Sequence, residues 1–249
     1  MTREFKSLPR LFIPAPMAAG GEMVLEEAQA NYLVNVLRMG PGDVFITFNG
    51  KDGAWRAELT EAKKRAGRAR LVEQIAAQTP ASTLWFGFAP LKTARLDYLV
   101  QKATEMGAGA IQPVITRYTQ AKNLRADKLE ANIIEAAEQC EILSVPELLP
   151  ETGLMDLLAR WPLDHAGAPL IFCDEAAAPG GLVPALTALG MAPVGILVGP
   201  EGGFAPEERE ALLALPYVVP VSLGPRILRA DTAAVAALAV VQAIIGDWR

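Results

Sequence analysis

The alternation of apolar runs with helical segments after residue 83 is what most constrains the fold of this 249-residue chain. Five apolar runs have the length of buried strands, and they cover residues 84–88, 110–114, 170–173, 194–198 and 218–222. Five segments with helical spacing lie between or after them, at residues 95–106, 128–139, 182–189, 206–215 and 232–248. Strands that alternate with helices form a mostly parallel sheet covered on both faces, so we predict an α/β domain. Residues 153–169 are predicted to be a looser, irregular excursion.

Two glycine-containing loops follow the last two of these strands. The first, GPEGG, covers residues 199–203, and the second, LGPRILR, covers residues 223–229. Asp174 and Glu175 follow a third strand. Ligands of parallel sheets bind outside the carboxyl ends of the strands, and glycines let the main chain approach a ligand closely. We therefore predict a small-molecule cavity with backbone walls at this edge of the sheet.

The first loop does not match the common nucleotide-binding motifs. It is not G-x-G-x-x-G, and the chain contains no G-x-x-x-x-G-K-[ST]. Glu201 would repel a phosphate, and Pro200 lacks an amide donor. The loop favours a ligand with a positive centre, or with hydroxyls and ring nitrogens, and makes a Rossmann-type dehydrogenase the most remote of the alternatives.

The first 75 residues have a different pattern. Short apolar runs at 11–13, 44–48 and 55–59 are separated by the turn sequences GPGD and NGKDG, and residues 26–37 have helical spacing. This pattern predicts a small β-barrel with one helix. Because residues 76–83 resemble a linker, we predict two domains, 1–75 and 76–249.

Charge is unevenly distributed between these domains. The chain carries a formal net charge of −5, yet residues 1–75 hold 11 Lys and Arg against 9 Asp and Glu, a net of +2. The remainder holds 12 against 19, a net of −7. A locally basic domain is compatible with RNA contact, because phosphate binding responds to the local field. The basic run at 63–70 is either part of such a contact or a solvated hairpin.

Composition predicts a cytoplasmic protein that binds no membrane and no metal. The first ten residues contain no apolar run, and the longest apolar stretch, 232–246, is shorter than the ~20 residues that a membrane helix needs. That stretch is predicted to be a core or subunit-interface helix. Cys140 and Cys173 are predicted to be two buried thiols. His165 is the one histidine, which leaves a zinc site or a Ser-His-Asp triad without support.

Several motifs together resemble one family. GPEGGF at 199–204 and LGPRILRADTA at 223–233 are similar to the signatures of the RsmE-type SPOUT methyltransferases, and shorter matches lie at 10–12, 32–38, 101–107 and 135–140. The resemblance implies methyl transfer from S-adenosylmethionine to ring nitrogen 3 of a uridine in small-subunit (16S) ribosomal RNA. It also implies a PUA-like RNA-binding first domain, a trefoil-knotted second domain and a homodimer formed through 232–246.

The resemblance and the chemistry together select candidate catalytic residues. Methylation of a uridine nitrogen requires a positioned donor, loss of the proton on N3 and stabilisation of the resulting anion. Arg226 and Arg229 are candidates for the last task, and they would share a face if their loop were a helical turn. Their alternative role is a structural ion pair with Asp231 or Glu201. Glu201 itself either orders its loop or accepts the proton.

Further candidates are assigned to ligand binding. The predicted donor-binding residues are Leu197, Val198, Gly199, Gly202, Gly203, Leu223, Gly224, Ile227, Leu228 and Ala233. The predicted RNA-binding residues are Arg10, Arg38, Lys63, Lys64 and Arg65.

The sequence departs from the usual family pattern at four places. Glu141-Ile142 stands where Gly-Arg is usual, Asn31 where histidine is common, and Asp231 where glutamate is common. Ala205 precedes a helix without the usual Ser or Thr cap, which predicts a weaker helix start. Two other functions stay open: methylation of transfer RNA or another base, and RNA binding without catalysis.

Overall fold

The computed structural model describes residues 8–63, 65–121, 124–177, 181–190 and 193–248. The chain divides into two compact units. The first unit comprises Met1–Pro80 and Ala137–Val145, and the second comprises Ala81–Ala136 and Pro146–Arg249. Residues 137–145 therefore belong to the first unit although they lie far from it in sequence.

The first unit is built on a five-stranded sheet. Its strands are β1 (Arg10–Phe12), β2 (Glu22–Leu25), β3 (Val44–Phe48), β4 (Ala54–Lys63) and β5 (Ala66–Ala76). Their order is β1-β3-β4-β5-β2, with β1 parallel to β3 and the other pairs antiparallel. Buried and exposed residues alternate along much of β4 and β5, because one face of the sheet covers the core that contains Phe45, Trp55 and Leu71.

The helix of the first unit changes its hydrogen bonding partway along. A short helix α1 (Glu27–Ala30) leads into a π-helix (Asn31–Val36), and the Leu37 amide donates to the Tyr32 carbonyl oxygen at 3.0 Å. Arg38 then adopts a φ of +59° and ends the segment. The sequence predicts one regular helix over 26–37, since helical spacing cannot distinguish a π-helical turn from an α-helical one.

The second unit contains the predicted parallel sheet. Its strands are β6 (Trp85–Phe88), β7 (Ala110–Ile115), β8 (Glu147–Leu148), β9 (Thr152–Gly153), β10 (Leu170–Cys173), β11 (Gly195–Val198) and β12 (Val218–Val221). The order is β12-β10-β11-β6-β7-β8, with β9 also paired to β7, and these ladders are all parallel. The predicted mostly parallel sheet is confirmed, and the five predicted strands match β6, β7, β10, β11 and β12 within one residue at each end.

Six helices accompany this sheet in the described residues. They are α2 (Thr93–Glu105), α3 (Ala126–Gln139), α4 (Leu154–Asp164), α5 (Leu182–Leu189), α6 (Pro206–Leu213) and α7 (Ala230–Ile244). The prediction of an irregular excursion at 153–169 is wrong, because α4 buries Leu154, Leu158 and Trp161 at helical spacing despite Pro162 inside it. The predicted end of the last helix at 248 is also wrong, since α7 ends at Ile244, two residues before Gly246.

A buried amide fixes the last helix. Gln242 lies on α7 and is only 2% exposed. Its Nε2 donates to the carbonyl oxygen of Met106 at 2.7 Å, and its Oε1 accepts from the Asp247 amide at 3.1 Å. The polar residue that interrupts the apolar stretch therefore satisfies backbone groups at the ends of α2 and α7.

The two cysteines differ in their surroundings. Cys140 comes directly after the last residue of α3 and is exposed, so the prediction of two buried thiols is wrong for this residue. Cys173 ends β10, and burial raises the pKa of its thiol to about 12 although the residue as a whole is partly exposed. Within the described ranges, no helix combines the length and the apolar composition that a membrane crossing requires.

Candidate functional site

The carboxyl ends of β10, β11 and β12 open onto a cavity of about 610 Å³. We call it the strand-end cavity. Residues 172–176, 198–204 and 221–230 line it, together with Arg95, Arg209 and Ala233. Its volume lies within the roughly 300–1,000 Å³ typical of small-molecule sites. The structure thus brings the two predicted loops together on one cavity.

The first loop is a tight turn held against an aromatic ring. The Gly203 amide donates to the Pro200 carbonyl oxygen at 2.9 Å. A Cβ atom at Gly199 would lie 2.4 Å from a ring carbon of Phe204, whose ring packs edge-on against Phe172 at 5.0 Å between centroids. Only glycine at 199 allows the backbone and the Phe204 ring to approach this closely.

Glu208 supplies the cap that the start of α6 lacks in sequence. Ala205 is the N-cap residue, and its amide donates to Glu208 Oε2 at 3.0 Å. Glu208 Oε1 accepts from the Arg117 amide at 2.8 Å, after the end of β7. The weaker helix start predicted from Ala205 is therefore offset, because the buried Glu208 carboxylate satisfies two backbone donors at once.

The second loop is irregular and does not form a helical turn. Gly224 has a φ of +113°, which favours glycine, and its amide donates to Ser222 Oγ at 3.3 Å. Arg229 is the N-cap of α7, with φ −66° and ψ 152°. Arg226 and Arg229 therefore do not share a helical face, because the helix begins only after them. Both nevertheless line the strand-end cavity.

The two arginines have no ionic partner within the described residues. Neither guanidinium forms a hydrogen bond or a salt bridge there, and both residues are exposed. Glu201 Oε1 lies 3.9 Å from Nη1 of Arg95 instead, and Asp231 Oδ1 accepts from the Thr232 amide at 2.9 Å. The structural ion pairs considered as an alternative for Arg226 and Arg229 are thus absent from this part of the chain.

A buried carboxylate ties β10 to α6 at the cavity wall. Asp174 is 6% exposed, and its Oδ2 accepts from Nε and Nη2 of Arg209 at 3.0 and 2.8 Å. Its Oδ1 accepts from the Ala176 amide at 3.1 Å. The hydrogen bond to Asp174 raises the pKa of Arg209. Sequence reasoning noticed the carboxylates after β10 but not Arg209 or Arg95, which no local spacing connects to them.

Most predicted donor-binding residues line the strand-end cavity. They are Val198, Gly199, Gly202, Gly203, Leu223, Gly224, Ile227, Leu228 and Ala233. Leu197 does not line it, because it is fully buried and packs in the hydrophobic core under the sheet. Ile227 is 87% exposed at the cavity, an unusual position for a large apolar side chain.

The predicted RNA-binding residues fall into two groups. Arg10 and Arg38 line a separate cavity within the first unit. Lys63 pairs with Glu61, and Arg65 Nε lies 3.3 Å from Glu27. Lys64 lies outside the described residues. The pairs along this hairpin agree with the solvated-hairpin interpretation, although exposed pairs are worth only about 0–1 kcal/mol and leave the cations available to phosphates.

The histidine lies outside both cavities. Its ring stacks on that of Trp161 with 3.9 Å between centroids, and burial lowers the pKa of His165. Within the described ranges, no three His, Cys, Asp or Glu side chains are grouped as a metal site would require.

Family models match both parts of the chain. The model described as an RNA methyltransferase domain matches residues 77–242, and the one described as an RNA methyltransferase PUA domain matches residues 25–72. These matches agree with the two sheets seen in the structure.

Individual proteins and structures agree with the family models. The chain is 31% identical over 234 residues to ribosomal RNA small subunit methyltransferase E of Rickettsia conorii, covering 94% of each chain. It resembles the structure of that enzyme type from Neisseria gonorrhoeae bound to S-adenosylmethionine, with a TM-score of 0.82, 28% identity and coverage of 97% and 100%. A putative methyltransferase from Legionella pneumophila with bound S-adenosylmethionine gives the same TM-score and identity, with coverage of 95% and 97%.

Proposed function

The chain belongs to the RNA methyltransferase family, and we propose that it transfers a methyl group from S-adenosylmethionine to ring nitrogen 3 of a uridine in 16S ribosomal RNA. One observation carries the proposal: in the part of the chain that the structure describes, Arg226 and Arg229 have no ionic partner, and they line a cavity that a glycine-rich acidic loop also lines. A cationic wall that faces an anionic acceptor and an acidic wall that faces a cationic donor suit this reaction.

The strand-end cavity fits the donor in size and charge. Its volume accommodates a nucleoside-sized ligand, and a side chain at Gly199 would crowd the wall where main chain meets Phe204. Glu175 and Glu201 line the cavity and favour a positive centre. When bound, S-adenosylmethionine supplies an electrophilic methyl group on a sulfonium. We propose that main-chain groups of 198–203 and 223–228 hold its adenine and ribose.

The arginines supply the stabilisation that the acceptor needs. The neutral imide of uridine is a poor nucleophile, so N3 must lose its proton before it attacks. A fixed guanidinium beside the ring oxygens favours the anionic base and lowers its effective pKa. We assign this role first to Arg229 and second to Arg226. Glu201 either orders its loop, with the help of Arg95, or accepts the N3 proton.

We propose a division of labour between residues 1–75 and residues 76–249. The first domain, PUA-like, would contact RNA through Arg10, Arg38 and the 63–65 segment, and the second would bind the donor and carry the chemistry. Phosphate contacts release counterions, so RNA affinity should fall with salt. Donor affinity should depend less on salt, because binding of the donor involves no phosphate and releases no condensed counterions.

We also propose a homodimer and a trefoil knot in the second domain. A groove between α2 and α7 contains a 44% exposed Tyr98. Its lining residues are Ala94, Arg95, Tyr98, Asp231, Thr232, Val235, Ala236 and Ala239. A second copy on this groove would have to bury roughly 1,200 Å² or more in total. Light scattering at micromolar concentration should give twice the 26.6 kDa of one chain. The ribosomal substrate implies that the enzyme acts in the cytoplasm.

Methyl transfer into defined RNAs tests the proposed function. Purified protein with tritiated S-adenosylmethionine should label 16S ribosomal RNA, either free or in the small subunit, and nucleoside analysis should identify 3-methyluridine. Label in transfer RNA or on another base would move the function to a related methyltransferase. Donor binding without transfer to any RNA would indicate an RNA-binding protein without catalysis.

A further inference from the structure

The cavity of the first unit is surrounded by unusual backbone. It has a volume of about 690 Å³, and we call it the first-unit cavity. Its lining residues are Leu8, Pro9, Arg10, Tyr32, Leu37, Arg38, Met39, Asp43, Val44, Glu138, Gln139 and Glu141. All of them belong to the same compact unit.

Three departures from regular backbone meet at this cavity. Tyr32 lies in the π-helix, and Arg38 and Glu141 both have a φ of +59°. The described chain has only one other non-glycine residue with positive φ, Ala166. Such conformations cost about 1–3 kcal/mol each and cluster at functional sites. Both left-handed residues follow the end of a helical segment, where the Met39 and Ile142 amides donate to the carbonyl oxygens of Leu33 and Ala137 at 2.9 and 3.0 Å. The two helix ends thus bring Arg38 and Glu141 to the same cavity.

The side chains of the cavity combine a flat ring, an exposed cation and an exposed carboxylate. Tyr32 is half-buried and packs against the core, so its ring is held in place. Arg38 and Glu141 are exposed at the cavity, and neither forms a hydrogen bond or salt bridge within the described residues. A fixed aromatic ring stacks on a nucleobase, and a guanidinium contacts its phosphate.

The carboxylate decides which base would fit. Glu141 accepts hydrogen bonds and donates none while it is ionised. Glu138 Oε1 already accepts from the Phe12 amide at 2.8 Å, and Asp43 Oδ2 accepts from the Gly40 amide at 2.7 Å. Glu141 accepts no hydrogen bond within the described residues. Its charged neighbour is the partly buried guanidinium of Arg10, whose pKa is lowered by burial and raised in part by Glu141. Guanine presents two adjacent N–H donors, N1–H and the N2 amino group, on its pairing edge. The other three bases do not present such a pair of donors.

We propose that the first-unit cavity binds one single-stranded guanine of the RNA substrate, with Tyr32 stacked on the base, Glu141 accepting from its pairing edge and Arg38 at its phosphate. The proposal rests on the proposed function, because it assumes an RNA substrate. It goes beyond that function by assigning base selectivity to a site distinct from the strand-end cavity and to a carboxylate at the position where glycine is usual.

Nucleotide titrations of the full-length, isotope-labelled protein test the proposal directly. Guanosine 5′-monophosphate should shift the backbone amide resonances of Tyr32, Arg38 and Glu141. The monophosphates of adenosine, cytidine and uridine carry the same phosphate, and should bind there about tenfold more weakly. Equal shifts with all four nucleotides, or shifts confined to residues 198–230, would overturn the proposal.

Three substitutions separate the assigned roles. Glu141→Gln should abolish the preference for guanine while leaving binding of the other nucleotides unchanged. Tyr32→Leu should weaken binding of all four about fivefold or more, and Tyr32→Phe should not. Arg38→Asn, which tolerates a positive φ, should weaken all four equally and reduce the salt dependence. Glu73→Gln is the matched control, since it removes a carboxylate from β5 outside the cavity.

The outcome can be separated from that of the methyl-transfer test. Donor binding is measured by calorimetry on the same variants and should not change, because all lining residues of the strand-end cavity lie in the second unit. If guanine binds at the first-unit cavity but no RNA is methylated, the base site stands and the proposed reaction fails. If ribosomal RNA is methylated and Glu141→Gln leaves guanine preference intact, the base site fails alone.

Discussion

The strand-end cavity and the first-unit cavity are similar in volume but are built from different parts of the chain. The first is formed by main chain at the ends of three parallel strands, and its glycines let backbone and the Phe204 ring approach each other. The second is formed by side chains on a π-helix, on strand ends and on a segment more than ninety residues further along the chain. Backbone walls require particular small residues in consecutive positions, so they leave a motif in the sequence. Side-chain walls assembled from distant segments do not.

The largest expected effect concerns Arg229, a side chain on the backbone-built cavity. Arg229→Ala should lower turnover about 100-fold, because an oriented charge stabilises the transition state more than the ground state. Donor affinity, measured by calorimetry, should change little. Arg229→Lys should restore only part of the rate, since an ammonium lacks the planar fork.

Arg160→Ala is the matched control for Arg229, because it removes an exposed arginine from α4 outside the cavity. It should leave turnover unchanged. A stable Arg229→Ala protein with normal turnover would shift the catalytic role to Arg226. A loss of thermal stability that Asp231→Ala reproduces would indicate a structural role.

The next effect tests whether backbone really forms the strand-end cavity. Gly199→Ala places a methyl group 2.4 Å from the Phe204 ring, which must then move. Overpacking of this kind costs about 1–3 kcal/mol of stability, and donor affinity should fall about tenfold. Calorimetry and thermal unfolding measure both quantities. Unchanged donor affinity would show that the ligand does not use this wall, and nucleotide binding at the first-unit cavity serves as the internal control.

A smaller effect tests how the backbone wall is held. Asp174→Asn should destabilise the protein by about 1–3 kcal/mol, because it removes a charge-assisted acceptor from Arg209. The Michaelis constant for the donor should rise several-fold while turnover changes less, since the pair positions α6 and its loop. Asp164→Asn on the exposed end of α4 is the control and should change stability by less than about 1 kcal/mol. Equal effects of both substitutions on the donor would argue against a positioning role.

A substitution at Glu141 tests the backbone strain at the first-unit cavity. Glu141→Gly should stabilise the protein by up to about 1 kcal/mol, because glycine adopts a φ of +59° without strain. Ala166→Gly, at a φ of +49° in the second unit, should stabilise to a similar extent without affecting nucleotides. Thermal unfolding gives both values. A destabilised Glu141→Gly protein would mean that contacts of the carboxylate outweigh the strain.

The smallest effect is a pH dependence that touches neither cavity. Burial lowers the pKa of His165 below its ordinary value, so the folded state binds fewer protons than the unfolded state over that range. Stability should therefore be complete above the ordinary value of about 6.5 and decline as pH falls through it. Thermal unfolding between pH 5 and 8 should show a shallower decline for His165→Phe. An identical profile for the two proteins would remove His165 as the cause.

The parts of the fold that repeat a local pattern are predictable from sequence, as the comparison of the cavities suggests. The strands β10, β11 and β12 and the loops after them follow from short apolar runs and from glycines. The helix α4 cannot be predicted in this way, because Pro162 weakens the local evidence for a helix. Its apolar face is evident only from the structure, where Trp161 is buried in the core of the second unit. Arg95 and Arg209 reach the strand-end cavity through long-range packing, and no spacing in the sequence reports such contacts.

The structure of the first unit is less predictable from the sequence than that of the second. Apolar runs do not mark strands β2 and β5, because their exposed faces carry charged residues that weaken the apolar signal. For β5, the sequence indicates only a hairpin over 63–70 as one of two interpretations. The π-helix and the positive φ of Arg38 and Glu141 depend on hydrogen bonding and packing that side-chain periodicity does not encode. A glutamate at a position where related sequences have glycine was visible as a departure, but its consequence required the structure.

The hydrogen bond from Gln242 to Met106 joins groups separated by 136 residues in the chain. The second glycine loop and Arg229 immediately precede α7, so the position of the loop is linked through the chain to the docking of that helix. A change that loosens the buried contact between Gln242 and Met106 should therefore also disturb the strand-end cavity, although neither residue lines it.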